Sequence, residues 1–414
     1  MCCLDNILAS ACETTVHWQA EPAFHPTIEE FSGIEAITYD GLTTENGKTA
    51  TFAYLGIPKN ACSQAPVPAI VLVHGGGGQA FLPWVKMWMD RGYAAIAMST
   101  RGFYPKAVNA GSRQSDDPGY RHGMYDSFVK PGYVDSPNEN AMADHDLPLP
   151  QRWITHALVK VIHAHNLLRS LPQVDNSKIG INGISWGGII TSIVMTHDPR
   201  FAFAIPVYGS GYLKKALTYM GPKFQNPANV QYRAEDKFER VSIPVLWTAW
   251  NDDNNFSIQS NSLSYLATAH NNPKTGLALI HNMGHDHPSG WNPPVIAAFA
   301  NWVTKNTQPL VTFLTQPEER NARATLNIPD GIDAVKGTLY WIDAPMTYKT
   351  YDKFHNDTPD RTYMEQIWQL APATVDGNVL SAELPEQARG YYLEASYEIG
   401  GKQMYATSVY VAIN

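Results

Sequence analysis

The chain has 414 residues, 44% hydrophobic and 16% charged, a balance that excludes a disordered polypeptide and allows one large core or two ordinary ones. Its formal net charge of −8, with no Lys/Arg-rich cluster, argues against nucleic acid or an anionic membrane surface as partner. No apolar run reaches the length of a membrane span, so no integral membrane segment is expected.

Met1 to Cys12 lacks a basic start and contains Asp5, which makes it a poor signal peptide as it stands. Ala9-Ser10-Ala11-Cys12 faintly echoes a lipoprotein cleavage site, compatible with a secreted or periplasmic protein, but the sequence assigns no compartment. The four cysteines, Cys2, Cys3, Cys12 and Cys62, fit no zinc spacing, and a Cys12–Cys62 bridge is left open for an oxidising compartment. Residues 1–35 read as an irregular lead-in. Ile34 to Tyr39 and Thr49 to Ile57 then alternate as two strands around the Asn-Gly turn at Asn46-Gly47. Ala69 to Val73 is wholly apolar, as a buried parallel strand requires. It delivers His74 and four consecutive glycines, Gly75 to Gly78, a loop whose backbone N–H groups can approach a ligand closely. No Gly-Lys-Ser/Thr or Gly-x-Gly-x-x-Gly pattern accompanies it, which removes the phosphate-binding readings.

Trp84 to Arg91 reads as a helix and Ala94 to Met98 as the next buried strand, the β-α-β rhythm of an open parallel sheet. Periodicity is lost from Arg101 to about Pro150, a loop whose length fits a wall of a substrate pocket or a surface excursion with no chemistry. Gln151 to Leu171 returns to helical order. Its His156, His163 and His165 invite a metal reading, but His163 and His165, two apart on a helix, point different ways. They are read as packed or solvated residues, and neither metal nor cofactor is expected.

The stretch from Ser177 to Gly188 starts as a strand and ends in Gly183-Ile184-Ser185-Trp186-Gly187, followed by the apolar helix Ile189 to Met195. A Gly-x-Ser-x-Gly turn between strand and helix pushes its serine outward, and a Cβ at either glycine would collide with neighbouring backbone. Phe201 to Gly209, Val245 to Trp250 and Gly276 to Ile280 are further core strands, separated by a polar excursion from Ser210 to Ser242, and Pro293 to Thr304 is a closing helix. From residue 308 the texture changes to short alternating strands with a Gly400-Gly401 hairpin: Thr325 to Ile328, Gly337 to Ile342, Met364 to Leu370, Val379 to Leu384, Tyr391 to Ile399 and Gln403 to Ala412. These predict an all-β, sandwich-like module over residues 308–414, structural in the first instance, with carbohydrate binding or shielding of the site as its other roles.

A serine needs a base, and the base a carboxylate to orient it. In doubly wound hydrolases these partners follow later strands in the order Ser, Asp or Glu, His. Asp252 follows the strand ending at Trp250, and His285 follows the strand ending at Ile280, both on the carboxyl edge where open α/β sheets place their sites. Asp252 is preferred over Asp253 because it falls in the first turn after the strand, and His285 over His281 and His287 because Gly284 lets the loop turn inward. The oxyanion donors are expected from the Trp186 N–H and from Gly76 or Gly77. A calcium loop at Asp252 to Asn255 lacks the required glycine and distal glutamate, and a zinc pair at His285 and His287 lacks the His-Glu-x-x-His frame.

Four motifs, His74 to Gly78, Gly183 to Gly188, Trp250-Asn251-Asp252 and Met283-Gly284-His285, together resemble the α/β-hydrolase branch of dienelactone hydrolases, acetylxylan-esterase-like enzymes and prolyl oligopeptidase catalytic domains. The resemblance spans roughly residues 69 to 305, and Gly188 with the Asp198 to Phe201 run strengthens it. It implies a doubly wound, mostly parallel sheet over residues 36–307 and acyl transfer through Ser185, Asp252 and His285. Two departures matter. Ser185 replaces the cysteine nucleophile of true dienelactone hydrolases, and nothing here has the size of the peptidase propeller. The expected activity is cleavage of carboxylic esters on a small molecule or polysaccharide, including deacetylation of a carbohydrate, which the 11 Trp and 21 Tyr accommodate. The alternatives are a serine peptidase and a non-catalytic glycan-binding protein that kept the fold.

Overall fold

The computed structural model describes residues 3–27, 29–105, 125–126, 129–216, 218–346 and 368–413. Residues 106–124 and 127–128 of the long loop after Arg101, and the first residues of the strand expected over Met364 to Leu370, lie outside them. The chain divides into two compact units, Met1–Ala204 and Ile205–Asn414. They part inside a strand.

In the first unit the lead-in is more regular than its composition suggests. Helix α1 (Leu4–Cys12) buries Leu4, Ile7, Leu8 and Ala11, an i, i+3, i+4, i+7 stripe, and β1 (Trp18–Ala20) pairs antiparallel with β2 (Ile34–Thr44). The hairpin of β2 and β3 (Gly47–Gly56) forms across the Asn-Gly turn, with a bulge between Asp40 and Thr43. Strands β4 (Val67–Val73) and β5 (Ala94–Met98) are parallel neighbours joined through α2 (Leu82–Asp90). Tyr104–Pro105 and Tyr125–Asp126, β6 and β7, form a short pair of their own. The long helix α3 (Trp153–Ser170) precedes β8 (Val174–Ile184), parallel to β4, and α4 (Trp186–Val194) follows it. The order in this unit is β1-β2-β3-β5-β4-β8. Ala69 to Val73 have no exposed surface, and α4 is buried on every side, the pattern of a parallel sheet covered by helices.

Three histidines of α3 have partners inside the protein. His156 Nε2 meets the Pro150 carbonyl at 2.8 Å, His163 Nδ1 the Asp40 carbonyl at 2.8 Å, and His165 Nδ1 the Asp198 carboxylate at 2.8 Å. They are packed residues. Asp198 also takes two hydrogen bonds from the Arg200 guanidinium, each 2.7 Å, and one from its backbone N–H at 3.2 Å, and Arg200 reaches on to the Cys12 carbonyl at the end of α1. Cys3, Cys12 and Cys62 are free thiols, so the Cys12–Cys62 bridge does not form.

In the second unit β9 (Phe203–Val207), which carries the junction, is followed by short helical turns including α5 (Gly221–Gln225). Then come β10 (Leu246–Trp250), α6 (Ile258–Ala269), β11 (Gly276–Ile280), α7 (His287–Trp291) and α8 (Pro294–Lys305). Strands β9, β10 and β11 are successive neighbours, β10 and β11 parallel. After α8 the chain becomes antiparallel: β12 (Thr312–Phe313), β13 (Arg323–Asn327), β14 (Lys336–Ile342), β15 (Gln369–Asp376), β16 (Val379–Ser381), β17 (Gly390–Ile399), β18 (Lys402–Thr407) and β19 (Val411–Ala412). These join in one path, β12-β13-β16-β15-β14-β17-β18 with β19 on β17, the antiparallel module expected after residue 308. The first part of β15 pairs with β14 and the rest with β16. This module is anchored on the α/β part of its own unit: the Leu279 N–H donates to Thr407 Oγ1 at 3.1 Å, and the Tyr410 N–H to Ser262 Oγ at 3.0 Å. Among the described residues no helix is long and apolar enough to cross a membrane.

Candidate active site

Ser185 sits at the turn from β8 into α4 with φ 56° and ψ −117°, a conformation that costs a non-glycine residue of order 1–3 kcal/mol. The neighbouring glycines make the turn feasible. A Cβ on Gly183 would lie 2.0 Å from the Gly187 carbonyl oxygen, and one on Gly187 would lie 1.9 Å from the Val73 carbonyl oxygen. The elbow is thus pressed between its own helix and the end of β4. Trp186 opens α4, so its N–H belongs to the first turn, whose amides have no acceptor within the helix and carry the positive end of its dipole.

The glycine loop follows β4 and is fixed at its start by His74, which is 1% exposed. His74 Nε2 accepts the Thr100 N–H at 3.0 Å. The ring proton is therefore on Nδ1, which donates to the Gly75 carbonyl at 2.7 Å. The loop passes against the elbow: a Cβ on Gly76 would come within 2.7 Å of the Trp186 indole. Gly77 has φ +68°, a left-handed conformation that glycine adopts at no steric cost. The two candidate oxyanion glycines and Trp186 are thus neighbours within the first unit. The Trp186 ring in turn packs edge-on against Trp153, centroids 5.3 Å apart, and the Trp153 indole donates to the Thr100 carbonyl at 2.7 Å. Sequence reasoning did not single out His74, Thr100 and Trp153 for this support, although His74 stood next to the glycine run.

In the second unit the chain leaves β10 at Trp250 and turns back on itself, the Asp253 N–H meeting the Trp250 carbonyl at 3.3 Å. Asp253 is 1% exposed. Its Oδ1 accepts the N–H groups of Asn255 at 2.8 Å and Phe256 at 3.1 Å, and its Oδ2 lies 2.6 Å from His285 Nδ1. A buried carboxylate on Nδ1 fixes the imidazole with its proton there and leaves Nε2 as the basic nitrogen. The carboxylate that faces His285 is therefore that of Asp253, and the preference for Asp252 is corrected. The turn closed by Asp253 sends the Asp252 side chain the other way, to accept the Trp368 indole N–H at 2.6 Å. Burial raises the Asp252 carboxyl to about 6.

The imidazole of His285 is flanked by the Tyr208 ring at 4.4 Å and, nearly parallel, the Phe256 ring at 6.0 Å. Tyr208 donates its hydroxyl to the Asp286 carbonyl, which ties down the residue after His285. Gly284 has φ +81°, the inward turn that favoured His285. The rivals are accounted for. His287 is driven down to about 4 by burial and by the neighbouring His285. His281 Nδ1 meets the Asn251 amide at 3.2 Å.

A parallel α/β sheet covered by helices, with a C-terminal antiparallel module, is the architecture of an α/β-hydrolase, and the class it defines here is a serine hydrolase. The model of the Dienelactone hydrolase family matches residues 52–287, and the chain belongs to that family. Among solved structures, an acetyl xylan esterase from Paenibacillus sp. R4 is 18% identical, covering 69% of this chain and 88% of its own, with a TM-score of 0.47. Acetyl Xylan Esterase 1 from Thermoanaerobacterium sp. JW/SL YS485 is 14% identical over 72% of this chain and 92% of its own, TM-score 0.48. An acylaminoacyl peptidase from Pyrococcus horikoshii is 15% identical over 67% of this chain and 43% of its own, TM-score 0.47. No curated protein matches the chain.

Proposed function

We propose that the protein cleaves carboxylic esters through an acyl-enzyme on Ser185, with His285 as general base and Asp253 as its orienting carboxylate. The observation that carries this reading is the buried Asp253–His285 hydrogen bond of 2.6 Å, on the loops that follow two successive parallel strands. The strained elbow at Ser185 supports it independently. His285 Nε2 takes the Ser185 proton as Oγ attacks the ester carbonyl, and Asp253 stabilises the imidazolium. The oxyanion is met by the N–H of Trp186 and that of Gly76 or Gly77. His285 then returns its proton to the leaving alcohol, and water deacylates the serine with His285 again as base.

Esters are preferred over peptides because an exopeptidase must hold a substrate amine with a carboxylate. Among the described residues the loops around His285 carry three, and each has a partner: Asp253 holds His285, Asp252 accepts from Trp368, and Asp286 accepts from the Ser289 N–H at 2.8 Å. Glu139, beside Gly76, is paired with Arg101 at 3.6 Å. Acetyl groups on carbohydrate hydroxyls are the substrate class proposed first. The test is mass spectrometry after exposure to a fluorophosphonate, with parallel assays on p-nitrophenyl acetate, a dipeptide amide and acetylated xylan. Labelling at Ser185 with turnover of acetyl esters, both lost in Ser185→Ala, is the expected outcome. Amide cleavage would transfer the protein to the peptidases, and an unlabelled Ser185 would leave the glycan-binding reading in front.

A further inference from the structure

We propose that Trp368 and Tyr392 of the C-terminal β module are positioning residues for the acid of the active site, holding the Asn251–Asp252–Asp253 turn in the register that presents Asp253 to His285. The proposal rests on the assignment of Asp253 and His285 above, and it gives the β module a part in the chemistry. Three consecutive residues of one turn each have a side-chain anchor. The Asn251 amide donates to the Tyr392 hydroxyl at 3.2 Å and lies 3.2 Å from His281 Nδ1. Asp252 accepts the Trp368 indole N–H at 2.6 Å, and Asp253 faces His285 at 2.6 Å. The first two anchors come from the β module and hold the two residues before Asp253.

The anchors are rigid. Tyr392 is completely buried, and Trp368 is 6% exposed. Trp368 packs edge-on against Tyr392 with centroids 5.1 Å apart, and against Tyr410 at 6.2 Å. Tyr392 in turn stacks flat on Tyr340 at 4.8 Å, and Tyr340 touches His281 at 5.5 Å. Aromatic rings interlocked in this way lose little freedom on binding the turn, so their hydrogen bonds are delivered at fixed positions. Asp252 would otherwise be a half-buried carboxylate with nowhere to send its charge. The indole N–H is the partner that favours its ionised form. A one-residue slip of this turn would put Asp252 where Asp253 now sits.

The rival account is local: the Asx turn, in which Asp253 Oδ1 takes the Asn255 and Phe256 N–H groups, suffices alone. Trp368→Phe keeps the ring packing and deletes the donor, and Tyr392→Phe deletes the acceptor of the Asn251 amide. Loss of one such bond predicts that the rate constant for fluorophosphonate labelling of Ser185 falls about fivefold in either variant. The Nδ1 proton of His285, which resonates at low field when held by a carboxylate, should shift upfield or broaden by exchange in proton NMR. Wild-type rates with an unchanged resonance in both variants would give the turn to the local Asx geometry and overturn the proposal. If wild type is not labelled at all, the assignment of Ser185 fails. The resonance still decides here: its loss in Trp368→Phe supports positioning, and its persistence overturns it. Should Trp368→Phe not fold, Tyr392→Phe carries the same comparison.

Discussion

At the scale of single residues the decisive detail is which of two adjacent aspartates the fold selects. Asp252 and Asp253 are the same chemical group on the same loop, and distance from the strand end, which favours Asp252, does not decide between them. What separates them is the direction of a turn. The Asp253 N–H closes on the Trp250 carbonyl, and Asp253 Oδ1 then gathers the two following N–H groups, an Asx-turn preference that a reading of the residues after Asp253 can detect. His285 was legible because Gly284 before it carries the positive φ the loop needs. Removing the charge from Asp253 leaves the imidazole free to take the wrong tautomer, so Asp253→Asn should lower kcat for an acetyl ester by about 10³–10⁴-fold. Asp252→Asn removes a carboxylate that does not face the imidazole and should cost less than about tenfold. Steady-state kinetics on the two variants gives the answer, and equal losses would return the acid role to an open contest between them.

At the scale of elements, the interior strands were the most legible part of the chain, because a strand buried on both faces can only be an unbroken apolar run. Ala94 to Met98 and Gly276 to Ile280 coincide with their expected limits. Helix α1 was not anticipated, although Leu4, Ile7, Leu8 and Ala11 carry its stripe. The helix is only 9 residues long, too short for its stripe to stand out over two turns. The β module was read strand by strand, but its single path depends on which edges pair, and alternation alone does not specify that. The elbow is where sequence and backbone constrain each other most tightly, and two alanine substitutions separate its demands. At Gly187 the new Cβ meets backbone at 1.9 Å, which no rotamer change can relieve, so Gly187→Ala should destabilise by roughly 3 kcal/mol or more. At Gly77 nothing lies within 4 Å, and only the left-handed conformation is penalised. Gly77→Ala should therefore cost about 1–2 kcal/mol. Denaturant midpoints of the two variants test the order, and a Gly77→Ala variant at least as unstable as Gly187→Ala would contradict it.

At the scale of the whole molecule, buried ionisable groups set opposing demands on pH. His156 and His287 are each held down to about 4 by burial. Their stability is complete above the ordinary histidine value of about 6.5 and is lost as the pH falls toward 4. Asp252 and Glu394 behave oppositely. Burial raises them to about 6 and about 7, so their stability is complete at acid pH and is lost as the pH rises through 6 to 7. His163, His165 and His281 are lowered by burial as well, against one further raised carboxyl, Glu235, so the histidines outweigh the carboxyls and stability should rise with pH up to the ordinary histidine value. Lys160 extends the rise on the alkaline side. It has no exposed surface, its ammonium lies 3.4 Å from the Ser99 carbonyl, and burial lowers it to about 7. Between pH 7 and the ordinary lysine value of about 10.4, the unfolded chain holds a proton that the folded chain does not. Raising the pH therefore stabilises the fold, by at most about 1.4 kcal/mol per pH unit. The Cys12 thiol, raised to about 11, works against this only above the ordinary thiol range, and Glu394, at about 7, opposes it only at the lower end, so Lys160 dominates from pH 7 to 8.5. The unfolding temperature should climb across that window by a few degrees, given roughly 2–4 °C per kcal/mol for a domain of about 150–250 residues, the size range of each unit. Lys160→Met fills the same volume without a charge to desolvate. It should raise the unfolding temperature at pH 7 and flatten the climb, because the group responsible is gone. Calorimetric scans at pH 7.0 and 8.5 on both proteins decide it: an equal slope in the variant would assign the alkaline gain to another group and leave Lys160 charged in the fold.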